Sequence, residues 1–128
     1  MSKATYDTRF FVEHFYNPDS DMKTKIAEEM KRTKNRYISS IVIHEIYALS
    51  LRKEGRETAK LRCNFIQKEF RVIDVDSELA SSSAELRNNH GLSLADSLIV
   101  STSKRIGVPC VTDDPHIRSI KDIKTRWL

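Results

Sequence analysis

The chain has 128 residues, of which 39% are hydrophobic and 31% are charged, and its formal net charge is +4. This balance is typical of a folded globular protein and excludes an intrinsically disordered chain. Chains of this length ordinarily bury one hydrophobic core, so we expect a single domain over residues 1–128.

The sequence predicts neither a membrane-spanning segment nor a secretory leader. No apolar run approaches the roughly 20 residues that span a bilayer, and residues 1–10 are too polar for a signal peptide. Cys63 and Cys110 are too few for a disulfide framework, and neither has a CxxC neighbour. We therefore expect a cytoplasmic protein with two reduced thiols.

Short strands alternate with helices along the whole chain, and capping residues and glycines mark most of the helix ends. The predicted helices are, in order, 10–16, 21–35, a helix from a cap at Ser39 or Ser40 to 53, 57–69, 76–89, 94–105 and a short turn of helix at 113–119. The predicted strands are, in order, 4–6, 37–38, 71–73, 108–112 and an edge strand within 123–127.

This alternation predicts an α/β fold in three layers, with a short parallel sheet of four to five strands between helices. In such sheets ligands gather beyond the carboxyl ends of the strands. Asp7 follows the first predicted strand directly, and Asp113 and Asp114 follow the fourth. Carboxylates are therefore expected where this fold builds its sites.

Two further acids interrupt the apolar faces of predicted helices. Glu45 is four residues after Ile41 and three after Val42, so it shares their helical face. Asp96 precedes Ile99 by three residues on a later helix and falls on an apolar face in the same way. An unpaired buried carboxylate costs several kcal/mol, so each must be protonated, paired or bound to metal.

A structural explanation exists for each acid taken alone: an arginine can pair with it, or it can lie at the rim of the apolar stripe. Two such helices together with two strand-end acids favour a shared site. Carboxylates that share a site need a compensating cation, and oxygen ligands without Cys or His suit Mg²⁺ or Mn²⁺.

At these residues the sequence resembles the PIN domain family and, within it, the VapC-type toxins. The resemblance covers essentially the whole chain and is most specific at Gly91-Leu92-Ser93-Leu94-Ala95-Asp96 and at Val111-Thr112-Asp113-Asp114. Asp7-Thr8 resembles the family's first strand-end motif, and the stretch from Ser40 to Glu45 resembles its glutamate helix. Arg9 stands where the family often has Asn, and Ile117 where it often has Phe.

The resemblance implies a metal-dependent endoribonuclease, with Mg²⁺ or Mn²⁺, an RNA substrate, a homodimer and a VapB-type antitoxin partner. It assigns Asp7, Glu45 and Asp96 as core metal ligands and Asp114, two residues after Thr112, as a ligand directly or through water. Thr112 is expected to orient a ligand or water. Asp113 is expected to cap the short helix near Pro115 or to stay solvated, and to add negative charge around the ligands. Arg9 is expected to contact substrate phosphate or to pair with an acid.

Several other interpretations stay open. They are an RNA-processing or DNA-cleaving nuclease with the same site and a non-catalytic RNA- or protein-binding PIN module. A phospho-receiver domain is disfavoured, because the adjacent acids lie near the carboxyl terminus of the chain.

Two further groups of residues are given no definite role in the site. One is a basic cluster that is either a substrate approach or a solvated helix end. The other consists of three histidines that lack metal-ligand spacing. The cluster is Lys31, Arg32, Lys34 and Arg36, and the histidines are His14, His90 and His116.

Overall fold

The computed structural model describes residues 2–128, and its helices and strands follow one another much as the sequence predicts. The strands are β1 (Lys3–Tyr6), β2 (Asn35–Ser39), β3 (Arg71–Ile73), β4 (Cys110–Val111) and β5 (Thr125–Arg126). The helices are α1 (Thr8–Tyr16), α2 (Ser20–Arg32), α3 (Ser40–Glu54), α4 (Arg56–Glu69), α5 (Ser77–His90), α6 (Leu94–Ile106) and α7 (Pro115–Arg118). Among the helices of residues 2–128, none is both long enough and apolar enough to cross a membrane.

The five strands form one sheet in the order β3-β2-β1-β4-β5, and every neighbouring pair is parallel. Thr5 of the central strand β1 pairs with Tyr37 of β2 on one side and with Cys110 of β4 on the other. Because all the strands run the same way, their carboxyl ends meet at one edge of the sheet, the carboxyl edge, and their starts meet at the opposite amino edge. The predicted parallel sheet is confirmed.

Helices cover both faces of this sheet, as the alternation of side chains along β1 shows. Thr5 points to one face and forms a hydrogen bond with Ser103 of α6. Tyr6 points to the other face, where its ring lies 4.7 Å from that of Phe10 and 5.2 Å from that of Phe70, measured between centroids. These aromatic rings are buried in the main hydrophobic core. The three-layer α/β/α architecture is thus confirmed.

Three predicted elements are shorter in the structure than the sequence pattern indicates, and one of them is the short helix predicted over 113–119, which is reduced to α7. The helix predicted over 21–35 ends at Arg32, because Asn35 already belongs to β2 and its N–H donates to the carbonyl of Ser2. The strand predicted over 108–112 is reduced to β4, since the Val108 N–H still bonds the Ser103 carbonyl at the end of α6. Backbone hydrogen bonds that the sequence pattern does not indicate therefore end α2 before Asn35 and delay the start of β4 to Cys110.

The basic cluster predicted as a substrate approach lies at the amino edge, next to the starts of β1 and β2, and so on the opposite side of the sheet from Asp7. Arg36 is also engaged internally, because one of its Nη atoms donates to the carbonyls of Met30 at 2.6 Å and Thr33 at 2.9 Å. The cluster therefore does not border the strand-end acids, and its interpretation as a substrate approach stays a prediction.

A buried acid that the sequence did not single out lies on α2. The side chain of Glu29 is fully buried and accepts hydrogen bonds from Tyr6 at 2.6 Å and Thr33 at 2.7 Å. Arg126 and Arg32 form ion pairs with it. Burial alone raises the pKa of Glu29, but the hydrogen bonds, with Arg126 first, outweigh it and hold this pKa at about 2. Glu29 is an acid whose burial is compensated by arginine.

Candidate active site

Asp7 is the most enclosed of the predicted site acids. It lies between β1 and α1 with only 3% of its surface exposed, and the Thr112 hydroxyl donates to its Oδ2 at 2.7 Å. Burial raises the pKa of Asp7 to about 6; the Thr112 hydrogen bond opposes this shift, and the nearby charge of Asp96 adds to it. Asp7 therefore sits in a setting that disfavours its negative charge.

Asp96 and Asp114 come together from the starts of two helices. Ser93 caps α6 by accepting from the Asp96 N–H at 3.2 Å, which places Asp96 in the first turn of the helix. Asp114 caps α7, because its Oδ1 accepts from the His116 N–H at 2.8 Å. One oxygen of Asp96, one of Asp114 and one nitrogen of His116 all lie within 4.8 Å of one another. Burial and then the charge of Asp114 raise the pKa of Asp96.

Glu45 reaches the same space from α3. Its charge is among those that raise the pKa of Asp96, and its Oε1 accepts a short hydrogen bond from the Thr8 hydroxyl. Sequence reasoning did not assign Thr8 a role. The sequence feature that could have indicated this role is the position of the Thr8 hydroxyl, directly after a strand-end aspartate and at the first position of a helix.

Glu45 and Asp96 were expected inside the apolar stripes of their helices, but both are only half-buried. The buried face of α3 is formed by Val42, Ile46 and Ser50, and Glu45 lies beside it. The two acids therefore occupy the rims of the stripes, where the helices border the carboxyl edge.

The adjacent acids Asp113 and Asp114 have separate partners. Asp113 forms a two-point ion pair with Arg9, at 2.6 Å from Nε and 3.2 Å from Nη2. The expectation that Asp113 caps the short helix is wrong, since Asp114 occupies that position and also donates its N–H to the Thr112 hydroxyl at 3.0 Å. Two neighbouring residues that leave a strand project differently, which explains the division.

The four carboxylates of Asp7, Glu45, Asp96 and Asp114 differ from that of Glu29 in their partners. Within residues 2–128, no lysine or arginine forms an ion pair with any of them. Glu29, by contrast, has two arginines. Neighbouring carboxylates without a lysine or arginine counter-charge are a donor set that fits a hard divalent cation such as Mg²⁺ or Mn²⁺.

The pKa of Asp7 predicts that Asp7→Asn stabilises the metal-free protein at neutral pH. Because the folded pKa of about 6 lies above the ordinary 3.8, the unfolded state releases this proton first, and the free energy of unfolding falls as pH rises between these values. The Asn amide avoids that cost and still accepts from Thr112. At pH 7.5 with chelator, we expect a gain of about 1–3 kcal/mol in urea unfolding.

The matched control is Asp74→Asn, at an exposed aspartate just after β3. Its stability should match that of the wild type. The advantage of Asp7→Asn should shrink as the pH falls from about 6 and vanish below about pH 3, where Asp7 is protonated in both states. An Asp7→Asn protein less stable than the wild type at pH 7.5 would show that the charge of Asp7 is compensated.

Known proteins with a similar sequence pattern or a similar fold were found by comparison. A family model described as the PIN domain matches residues 5–123. VapBC2 from Rickettsia felis, solved bound to a promoter DNA fragment, superposes with a TM-score of 0.79 at 17% identity, over 98% of each chain. A toxin-antitoxin complex from Klebsiella pneumoniae gives 0.72 at 17% identity, over 94% of each chain.

A third solved structure is VapC20 from Mycobacterium tuberculosis, described as a toxin that cleaves the sarcin-ricin loop. It gives a TM-score of 0.74 at 18% identity, over 87% of this chain and 89% of that one. Comparison with curated proteins gave no match. At these identities the structural likeness shows the fold.

Proposed function

This chain belongs to the PIN domain family, whose model covers residues 5–123, and on that premise we propose that it is a metal-dependent endoribonuclease acting as one PIN-like domain over residues 1–128. The observation that carries the proposal is a group of four neighbouring carboxylates at the carboxyl edge. Asp96 and Asp114 have ligand atoms within 4.8 Å of each other, and the charges of Asp96 and Glu45 contribute to the raised pKa values of Asp7 and Asp96, respectively. No lysine or arginine of residues 2–128 pairs with any of the four.

In this proposal Asp7, Glu45 and Asp96 hold Mg²⁺ or Mn²⁺, and Asp114 completes the set directly or through water. Bound divalent cations supply activation of water and stabilisation of the leaving oxygen of a phosphodiester. The protein contributes a prearranged set of oxygen ligands. The Thr112 hydroxyl fixes the carboxylate of Asp7, and the Thr8 hydroxyl fixes that of Glu45.

The substrate phosphate needs a cation beside the carboxylates, and Arg9 is placed to provide one. Its side chain is 51% exposed, and Asp113 holds its Nε and Nη2 from one side. The guanidinium keeps further donors for a phosphate oxygen. The charge of Asp7 acts on Arg9, so this cation borders the cluster. We assign Arg9 to RNA phosphate binding and Asp113 to positioning Arg9.

The biological role that we propose is the toxin of a type II toxin-antitoxin pair. Support comes from structural neighbours described as a toxin-antitoxin complex and as VapBC bound to promoter DNA. A VapB-type antitoxin is the proposed partner, and the homodimer stays a prediction. An antitoxin that placed a basic side chain among the four carboxylates would supply the counter-charge that they lack.

Paired substitution of the adjacent acids tests the site. Asp114→Asn should lose most cleavage of a labelled RNA, or need a higher Mg²⁺ or Mn²⁺ concentration, because a ligand charge near Asp96 is removed. Asn caps helices as well as Asp does, so α7 should persist. Asp113→Asn should leave the metal requirement unchanged, since Asp113 faces Arg9. The measurement is the cleavage rate across a metal titration for wild type and both variants.

Wild-type cleavage that persists in chelator would contradict metal dependence. The reverse ranking of the two variants would move the site assignment to Asp113. Circular dichroism of both variants controls for loss of α7.

A further inference from the structure

His116 lies beside the carboxylate cluster although nothing in its sequence spacing indicates a ligand. It is the second residue of α7, and 77% of its side chain is exposed. The cap formed by Asp114 folds the chain so that the imidazole turns toward Asp96 and Asp114. Ligand atoms of these three residues lie within 4.8 Å of one another.

The contacts of His116 with the two acids are close but incomplete. Its Nδ1 is 3.9 Å from Asp114 Oδ1, which is longer than a hydrogen bond. That Oδ1 also accepts from the His116 N–H, and a cation bound between these atoms would draw the imidazole and the carboxylates together. Ligands lie about 2.0–2.6 Å from such ions, and an exposed imidazole can rotate by the small amount required.

We propose that His116 is a metal ligand, together with Asp96 and Asp114, and that it makes this end of the site bind Mn²⁺ more tightly than Mg²⁺. This inference rests on the proposed function, because it deepens the same metal site. Mg²⁺ is a hard cation that prefers oxygen ligands and gives up its waters reluctantly. Both ions accept carboxylates, but imidazole nitrogen is a softer ligand than a carboxylate oxygen, and Mn²⁺, as a first-row transition ion, is the softer of the two cations. A site of carboxylates alone would discriminate less between the two ions.

The test measures metal binding without catalysis. Wild type, His116→Ala and the control His44→Ala are titrated with Mn²⁺, with free Mn²⁺ followed by electron paramagnetic resonance, and Mg²⁺ is measured by competition. The titrations are run at about pH 8, where few protons compete with the metal for its ligands. His44 is an exposed histidine next to Glu45 on α3, so it controls for loss of a surface imidazole.

His116→Ala should weaken Mn²⁺ binding about tenfold and leave Mg²⁺ affinity unchanged, while His44→Ala should match the wild type for both ions. Asp96→Asn should weaken both ions and so reports on the site itself. Equal weakening of both ions by His116→Ala, or no weakening, would overturn the role of His116 and leave the carboxylate site standing. A fall in RNA affinity alone would overturn it too, since it indicates a phosphate contact. A wild type that binds neither ion would remove the proposed function as well.

Discussion

RNA cleavage by Asp96→Asn should fall by about a hundredfold or more, because a bound metal contributes several kcal/mol of charge stabilisation and each 1.36 kcal/mol is tenfold in rate. The Asn side chain keeps the shape of Asp96 and removes a ligand charge. It also relieves repulsion by Asp114 and Glu45, which contributes to the raised pKa of Asp96. The melting temperature in chelator should therefore stay level or rise. The measurement is single-turnover cleavage with saturating Mn²⁺.

The matched control is Asp21→Asn, because Asp21 also lies in the first turn of a helix, α2, and is outside the cluster. It should cleave RNA at the wild-type rate.

When each protein is expressed without a partner, the wild type should slow cell growth and Asp96→Asn should not. Equal tolerance of both proteins by cells would favour a processing nuclease or a non-catalytic binding module. An unchanged cleavage rate in Asp96→Asn would point to a contaminating nuclease.

Glu29→Gln should destabilise the protein by about 3–5 kcal/mol, the usual cost of breaking a buried ion pair from one side. The carboxylate of Glu29 is fully buried and accepts hydrogen bonds from the side chains of Arg126, Arg32, Tyr6 and Thr33. Neutral Gln leaves the Arg126 guanidinium near the core without its counter-charge. Chemical unfolding in chelator measures the effect, and Glu28→Gln, at the exposed neighbouring position, should change stability little.

The pH dependence of the stability difference between wild type and Glu29→Gln distinguishes the contribution of the Glu29 charge from that of its packing. Since hydrogen bonds lower the folded pKa of Glu29 from 4.5 to about 2, its contribution is fully present above pH 4.5 and is lost as the pH falls toward 2. The stability difference between wild type and Glu29→Gln should narrow over that interval. A difference that stays constant from pH 7 to 2.5 would show that packing, not charge, is responsible.

Much of the fold follows from local patterns along the chain. Ser93 before an apolar helix and Gly107 after it predicted α6 to within one residue, because a cap and a left-handed glycine at φ 75° both act locally. Short β-branched runs between helices predicted the parallel sheet. The predicted boundaries at the end of α2 and at the start of β4 were wrong. They depend on backbone hydrogen bonds to the carbonyls of Ser2 and Ser103, which local patterns do not indicate.

Partners distant in the chain are what the sequence could not supply. Glu29 and Arg126 are separated by 97 positions, so periodicity could not show that this acid is paired while the strand-end acids are not. The pairing of Arg9 with Asp113 was left open with phosphate binding for the same reason. Which of the adjacent acids Asp113 and Asp114 faces Arg9 and which faces Asp96 depends on the direction in which each leaves β4. A shift of one residue would exchange their partners. The proximity of His116 to Asp96 arises only when α6 and α7 meet.

The ends of the RNA products test the central claim most directly, that four carboxylates and a divalent cation hydrolyse RNA by attack of water. With Mn²⁺, the wild type should leave 5′-phosphate and 3′-hydroxyl ends, and these products should be absent in chelator and in Asp96→Asn. Attack by the neighbouring ribose hydroxyl gives 2′,3′-cyclic phosphates and needs no metal. Cyclic phosphate ends, or cleavage undiminished by chelator, would contradict a metal-dependent hydrolytic site at these carboxylates.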